Sequence, residues 1–287
     1  MRSLKVLLLP LKRHFQPWCD DVIQAIGDNS HQLSVFDPSK PISTQFDGID
    51  VVIDHGGSVG TRRMMDVSTS ARLWQILGTG FDHFDLEYIR GLKIPVANCP
   101  GQFSSAALAE SAMMFILMLA RRYRKSADNF ASGVLYQPLG SELAKQSLGI
   151  IGLGASGQEL ARRAKAFGMK ILVIDVRVIE PQILAELQPD FMGSPSDIDQ
   201  IISEVDFLSL HLHLNSETRH IIDARRIALM KPTAYLINVA RGGLVDEQAL
   251  YQALVNDKLG GSGLDVFTEE PPNPQAPVFQ LPNVVVT

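Results

Sequence analysis

The stretch LGIIGLGASGQELARRAKAFGMKILVID, residues 148–175, decides the fold. It opens with LGII, four residues of strand character. Gly152, Gly154 and Gly157 follow as G-x-G-x-x-G, and SGQELARRAKAF then has the pattern of a helix. A second strand-like run, KILVI, ends in Asp175. A glycine triplet alone is a weak signal. Set between a strand and a helix, with an acid about 20 residues on, it is the fingerprint of a dinucleotide-binding βαβ unit. Each residue has a physical task. Gly152 allows the tight turn, Gly154 lets the backbone approach a pyrophosphate, and Gly157 lets helix and strand pack closely. The first N–H groups of the helix then face the anion. Asp175 would accept from both ribose hydroxyls and repel a 2′-phosphate. NAD is therefore expected rather than NADP, a preference that the nearby Arg177 weakens slightly.

Working outward, short apolar runs alternate with longer mixed segments on both sides. LKVLLL, LSVF, IDVVID, LWQIL and IPVAN precede the glycine loop, and VDFLSLHL, TAYLINVA and GSGLDVF follow it. That rhythm reads as βα units and parallel sheets. One α/β domain is expected over residues 1–98 and a second over 99–287. Near the start of the second, SSAALAESAMMFILMLARRYRKSADNF, 104–130, reads as a long helix that Ser104 or Ser105 could cap and whose basic end suits a helix C-terminus. Its apolar run at 112–120 is far short of the ~20 residues that cross a bilayer, so a buried helix is expected. The start, MRSLKVLLLP, reads as a first strand and not a signal peptide, because Lys5 interrupts it and no small-residue cleavage site follows.

Composition narrows the partners. A formal charge of −5 gives no reason to expect nucleic acid or an anionic membrane surface. The two cysteines, Cys19 and Cys99, do not suggest a disulfide framework, so a reducing, cytoplasmic compartment is expected.

With FLSLHLHLNSETRHIIDARRIALMKPTAYLINVARGGLVDEQALYQAL and GLDVFTEEPP added in that order, the chain resembles the D-isomer-specific 2-hydroxyacid dehydrogenases. That family includes D-3-phosphoglycerate dehydrogenase and the hydroxypyruvate or glyoxylate reductases. LGTGFDHFDLEYIRGLKIPVANCPG also matches its substrate-loop region. The resemblance implies two Rossmann-like doubly wound domains with the active site in the cleft between them. Residues 1–98 would be a flavodoxin-like substrate domain, and 99–287 would bind NAD. Hydride would pass between nicotinamide C4 and C2 of a small 2-hydroxy or 2-keto acid. Arg241, in NVARGG, matches the arginine that holds the substrate carboxylate, a role suited to a planar, permanent cation. Glu270 matches the acid paired with the catalytic histidine, whose imidazole pKa it raises. Asp265 matches the residue bonded to the nicotinamide carboxamide. By the same alignment Ala155, Ser156, Leu212, Val239, Ala240 and Thr79 contact the cofactor. Leu77, Gly78 and Thr79 would offer backbone N–H groups to the substrate carboxylate. Residues 104–123 would be a crossing helix that also serves homodimerisation. No metal is expected.

Two departures stand out. The family's histidine follows a proline directly after the strand that LPNVVVT, 281–287, resembles, and no Pro-His follows Thr287. None of the seven histidines, His14, His31, His55, His83, His211, His213 and His220, stands at the matching place. The chain as written is therefore expected to bind NAD with impaired turnover, most simply as a sequence that lacks its C-terminal segment. The alternative is a non-catalytic NAD(H)-binding regulator resembling the C-terminal-binding-protein corepressors. Asp54-His55 also replaces the arginine that phosphoglycerate enzymes carry, leaving Arg62 and Arg63 further on and a phosphorylated substrate in doubt.

Overall fold

A computed structural model describes residues 3–10, 18–55 and 60–287. The chain divides into two units, Met1–Pro100 and Gly101–Thr287. Each is an α/β layer structure on a wholly parallel sheet, in agreement with the expected fold class.

In the first unit the strands are β1 (Lys5–Leu9), β2 (Gln32–Val35), β3 (Val51–Asp54), β4 (Leu73–Ile76) and β5 (Val96–Ala97), in the order β2-β1-β3-β4-β5. This is the flavodoxin-like order. The helices are α1 (Trp18–Asp28), α2 (Ile42–Phe46), α3 (Arg62–Val67) and α4 (Leu86–Gly91). The unbroken apolar run of β1 follows from cover on both faces. Val6 and Leu8 pack with Cys19 of α1, while Leu7 and Leu9 join Phe46, Met64, Met65, Trp74 and Ile89. Asp54, at the end of β3, is wholly buried and accepts from Trp74 Nε1 at 3.2 Å and from Gly60 N at 3.0 Å. His14 lies outside the described residues.

The second unit starts with α5 (Ser105–Ala120) and α6 (Tyr123–Ala131). Its strands are β6 (Ser147–Ile151), β7 (Lys170–Ile174), β8 (Phe191–Gly193), β9 (Phe207–Leu210), β10 (Tyr235–Asn238), β11 (Gly261–Leu264) and β12 (Val284–Val286). They lie in the order β12-β11-β10-β9-β6-β7-β8, a doubly wound sheet whose direction of winding reverses between β6 and β9. Helix α7 (Ala155–Ala166) buries Gly157, Leu160, Ala161 and Ala164, one stripe at helical spacing. Helices α8 (Pro181–Leu187), α9 (Ile198–Glu204), α10 (Ala224–Leu229), α11 (Glu247–Val255) and α12 (Pro277–Gln280) complete the layers. Among the described residues no helix is long and apolar enough to cross a membrane. The apolar run in α5 is instead core: Ala112, Phe115, Ile116 and Leu119 are buried, and Phe115 lies where a Cβ on Gly263 of β11 would come within 2.5 Å of it.

Three local expectations change. The single helix read over 104–130, with 104–123 as its crossing part, is two: α5 stops at Ala120, and Arg122 takes a left-handed conformation (φ 51°) before α6 begins. Ser104 stands at the N-cap position but its side chain makes no capping bond: the hydroxyls of Ser104 and Ser105 donate to the carbonyls of Gly101 and Gln102. The three-residue edge strand β8 has no alternating pattern to announce it and emerges only through pairing with β7. The valine run does form a strand, β12, paired with β11. Val284 and Val285 are buried, whereas Val286 is 39% exposed at the sheet edge.

Candidate cofactor and substrate site

The glycine loop joins β6 to α7 at the point where the winding of the sheet reverses, the usual place for a ligand in such sheets. Gly152 has φ +99°, and a Cβ there would stand 2.4 Å from the His211 carbonyl oxygen. Its N–H donates to Ile174 O at 2.7 Å, tying the turn to β7. A Cβ on Gly157 would stand 2.1 Å from Gly152 O, so only glycine lets α7 start this close to the loop. Gly154 differs: a Cβ there would meet nothing within 4 Å. Its backbone is extended and faces open space ahead of Ala155 and Ser156 in the first turn of α7. A bare Gly154 backbone and the first N–H groups of a helix suit a pyrophosphate. The residues present therefore fit the dinucleotide.

Asp175 follows β7 and is 7% exposed. Its Oδ2 accepts from Leu153 N at 2.7 Å and Arg177 Nη2 at 2.8 Å; its Oδ1 accepts from Arg177 N at 2.8 Å and Nε at 3.0 Å. Burial alone would raise its pKa, but the bonds from Arg177 and Leu153 outweigh that and hold it below the usual carboxylate range. The acid is ionised and oriented, as a ribose acceptor must be.

His211 follows β9, beside the loop, and here the structure shows what sequence reasoning missed. Ser156 Oγ lies 2.9 Å from its Nδ1 and Ser209 Oγ lies 3.0 Å from its Nε2. A neutral imidazole bridges the serine of the pyrophosphate turn to the serine of β9. Ser209 is a local neighbour, but no local pattern links Ser156 to His211; only the adjacency of β6 and β9 does. Leu212 follows, half-buried, with Cδ2 at 3.2 Å from the Cβ position of Gly152. His213 is exposed. Burial pushes the His211 pKa from 6.5 down to about 4. The unfolded chain then binds more protons between those values, so stability is full above pH 6.5 and falls as pH drops toward 4. Between about pH 7.5 and about pH 5 the protein is expected to lose about 2 kcal/mol from this group. Stabilities from urea denaturation should fall further in the parent than in His211→Gln over that range, by about that amount. Equal losses in both would mean that His211 is protonated in the fold.

Arg241 follows β10 by way of Val239 and Ala240. Val239 is buried at 2%, and Ala240 N donates to Asn238 Oδ1 at 3.1 Å. Asn238 Nδ2 donates to Arg241 O at 2.8 Å, so one buried amide shapes the whole turn. Arg241 is half-buried, with Nη1 donating to Ala240 O at 2.9 Å. The next residue, Gly242, is where a Cβ would fall 1.9 Å from the Phe267 carbonyl carbon. That contact brings the ARGG turn against the loop after β11, which carries Asp265 and Glu270. Asp265 is half-buried and accepts from Thr287 Oγ1 at 2.6 Å. Glu270 is exposed, and its Oε1 accepts from Phe267 N at 3.0 Å. The loop is further held by Thr268 N donating to Glu247 Oε1 at 2.7 Å. His211, His213 and His220 make no bond to Glu270.

The first unit holds the other expected residues. Leu77 N donates to Asp54 O at 2.9 Å, so this N–H extends the strand pairing and is not offered to a ligand. Gly78 O accepts from Cys99 N, and Thr79 O accepts from Asn98 Nδ2, which fixes the loop through these two carbonyls. His55 is 4% exposed, and burial lowers its pKa against the opposing pull of Asp54. Arg62 is engaged by Asp85 and lies 4.7 Å over the Tyr88 ring.

A family model described as D-isomer specific 2-hydroxyacid dehydrogenase, NAD binding domain, matches residues 113–287. The chain is 38% identical over 242 residues to the D-3-phosphoglycerate dehydrogenase of Methanocaldococcus jannaschii, across 83% of this chain and 45% of that one. It is 36% identical over 243 residues to the hydroxypyruvate reductase of Thermotoga maritima, across 83% of this chain and 76% of that one. The structure of a D-lactate dehydrogenase from Aquifex aeolicus, complexed with NAD and lactic acid, superposes with a TM-score of 0.82 at 28% identity. That match covers 98% of this chain and 87% of the other.

Proposed function

Because this chain belongs to the D-isomer-specific 2-hydroxyacid dehydrogenase family, we propose that it acts on a small D-2-hydroxy acid and its 2-keto acid, with Arg241 as the grip for the carboxylate. When bound, the nicotinamide supplies or takes up the hydride. The Arg241 guanidinium pairs with the acid's carboxylate and draws charge toward the C2 oxygen. Asp265 orients the cofactor through its carboxamide, and the glycine loop with Ala155 and Ser156 holds the pyrophosphate. Thr79, Leu212, Val239 and Ala240 contribute backbone and shape. The observation that carries this reading is the ARGG turn, set by buried Asn238 and pressed through Gly242 against the loop of Asp265 and Glu270.

Glu270 would hold and polarise a histidine, and no described histidine of the second unit is bonded to it. The reading for the polypeptide of residues 1–287 is NADH binding with slow turnover. A second reading is an NAD(H)-binding regulator of the same fold. Steady-state reduction of glyoxylate, hydroxypyruvate and pyruvate with NADH, beside NADH binding, tests both. Binding without turnover favours the regulator or an incomplete relay, whereas rates of ordinary enzymes (about 1–1,000 per second) would overturn the impairment.

A homodimer and a cytoplasmic location complete the proposal. Phe130, Leu135, Tyr136 and Leu139 lie between 57% and 91% exposed on the segment around and after α6, an apolar surface suited to a second copy. Cys19 and Cys99 are free thiols, which suits a reducing compartment. Sedimentation that shows only monomer at micromolar concentration would remove the dimer.

A further inference from the structure

Asp175 is the acceptor on which the choice of cofactor turns, and every one of its acceptor positions is already used. Two donors reach each oxygen, three of the four coming from Arg177. A carboxylate offers about four lone-pair sites, so none is left for a ribose hydroxyl. The donors are not equal. Leu153 N belongs to the main chain of the glycine loop and Arg177 N to that of the segment after β7. The guanidinium bonds through Nε and Nη2 are made by a side chain that is 59% exposed, whereas the Asp175 side chain is 4% exposed. The exposed partner can leave without moving the fold, and the buried one cannot.

We propose that Arg177 is a displaceable counter-ion that lets this site accept both NAD(H) and NADP(H). The inference rests on the reading of residues 148–175 as a dinucleotide site. With NAD(H), the ribose hydroxyls take over the two positions on Asp175 that the guanidinium gives up. The exposed guanidinium rehydrates as it leaves, and the ribose hydroxyls replace its two bonds to the buried carboxylate, so Asp175 is not left without donors. With NADP(H), the 2′-phosphate would meet Asp175 as a like charge if that acid stood alone. Here the Asp175–Arg177 pair has no formal net charge. A guanidinium that swings off the carboxylate carries a planar donor fork matched to phosphate oxygens. The same residue therefore competes with the ribose of one cofactor and attracts the phosphate of the other.

These roles have opposite signs, and a merely structural arginine would not give that result. Dissociation constants for NADH and NADPH can be read from nucleotide fluorescence for the parent, Arg177→Ala and Arg177→Lys, with melting curves to check that all three fold. The parent is expected to bind the two nucleotides within about tenfold of each other. Arg177→Ala should bind NADH about threefold more tightly, because Asp175 is released, and NADPH about thirtyfold more weakly. Arg177→Lys should retain part of the NADPH affinity, since the charge stays while the fork is lost. A change of the same sign for both nucleotides in Arg177→Ala would overturn the proposal. So would a parent preference for NADH beyond about a thousandfold. A parent that binds neither nucleotide would instead overturn the dinucleotide reading on which the proposal stands.

Discussion

Gly157→Ala is expected to destabilise the second unit by about 3 kcal/mol or more, whereas Gly154→Ala, three residues away, should cost less than about 1 kcal/mol. Helix propensity argues the other way for Gly157, since alanine is favoured over glycine by about 1 kcal/mol inside a helix. Packing decides. The new methyl would lie 2.1 Å from Gly152 O, a backbone atom fixed by the Gly152 N–H bond to β7, so either the start of α7 or the strand–loop junction has to move. At Gly154 the methyl enters open space, and φ −70° with an extended ψ is allowed for any residue. Its expected effect is on ligand instead. The methyl occupies the approach to the first N–H groups of α7, and NADH affinity should fall about a hundredfold, near 2.7 kcal/mol. Urea denaturation separates the first effect and NADH titration the second. If Gly154→Ala binds NADH as the parent does, the pyrophosphate does not cross Gly154. If Gly157→Ala melts with the parent, the contact relaxes at little cost.

Arg241→Ala should leave NADH affinity within about threefold of the parent and weaken binding of oxamate, a 2-keto acid analogue, to the NADH complex by a hundredfold or more. Truncating one partner of a hydrogen-bonded charge pair away from water costs about 2–5 kcal/mol. The turn itself should survive, because its shape comes from Asn238 and Gly242, and the Nη1 bond of the side chain reaches only the neighbouring Ala240 O. Arg241→Lys should recover only a fraction of the oxamate affinity, as a point charge cannot make two parallel bonds to a carboxylate. Oxamate binding is measured without turnover, so the result does not depend on a proton-transfer histidine. Unchanged oxamate affinity in Arg241→Ala would place the carboxylate elsewhere.

The candidate site was partly legible in the residues. Gly152 and Gly157 could be read because glycine is required wherever backbone approaches backbone, a constraint that leaves its mark in the letter itself. Asp175 was legible from its distance to the loop, and Arg177 was legible as a neighbour. That Arg177 takes up so many of the Asp175 acceptor positions was not, because it depends on where both side chains turn after β7. Leu77 was read as a donor to substrate, yet its N–H is already bonded to Asp54 O, a requirement of the strand beside it.

What the sequence determined by itself was therefore whatever rests on local sterics and periodicity. That covers the parallel α/β class, most of the strands, the glycine loop and the buried nature of α5. Tertiary structure alone decided the matters that depend on neighbours far along the chain. It ended α5 at Ala120, added the edge strand β8 through pairing with β7, and set Gly242 against Phe267. It also brought Ser156, His211 and Ser209 into one hydrogen-bonded chain. The physical reason is the same in each case. A burial pattern repeats within a few residues and can be read along the chain, but a hydrogen bond or a close contact needs a partner, and the sheet order chooses it.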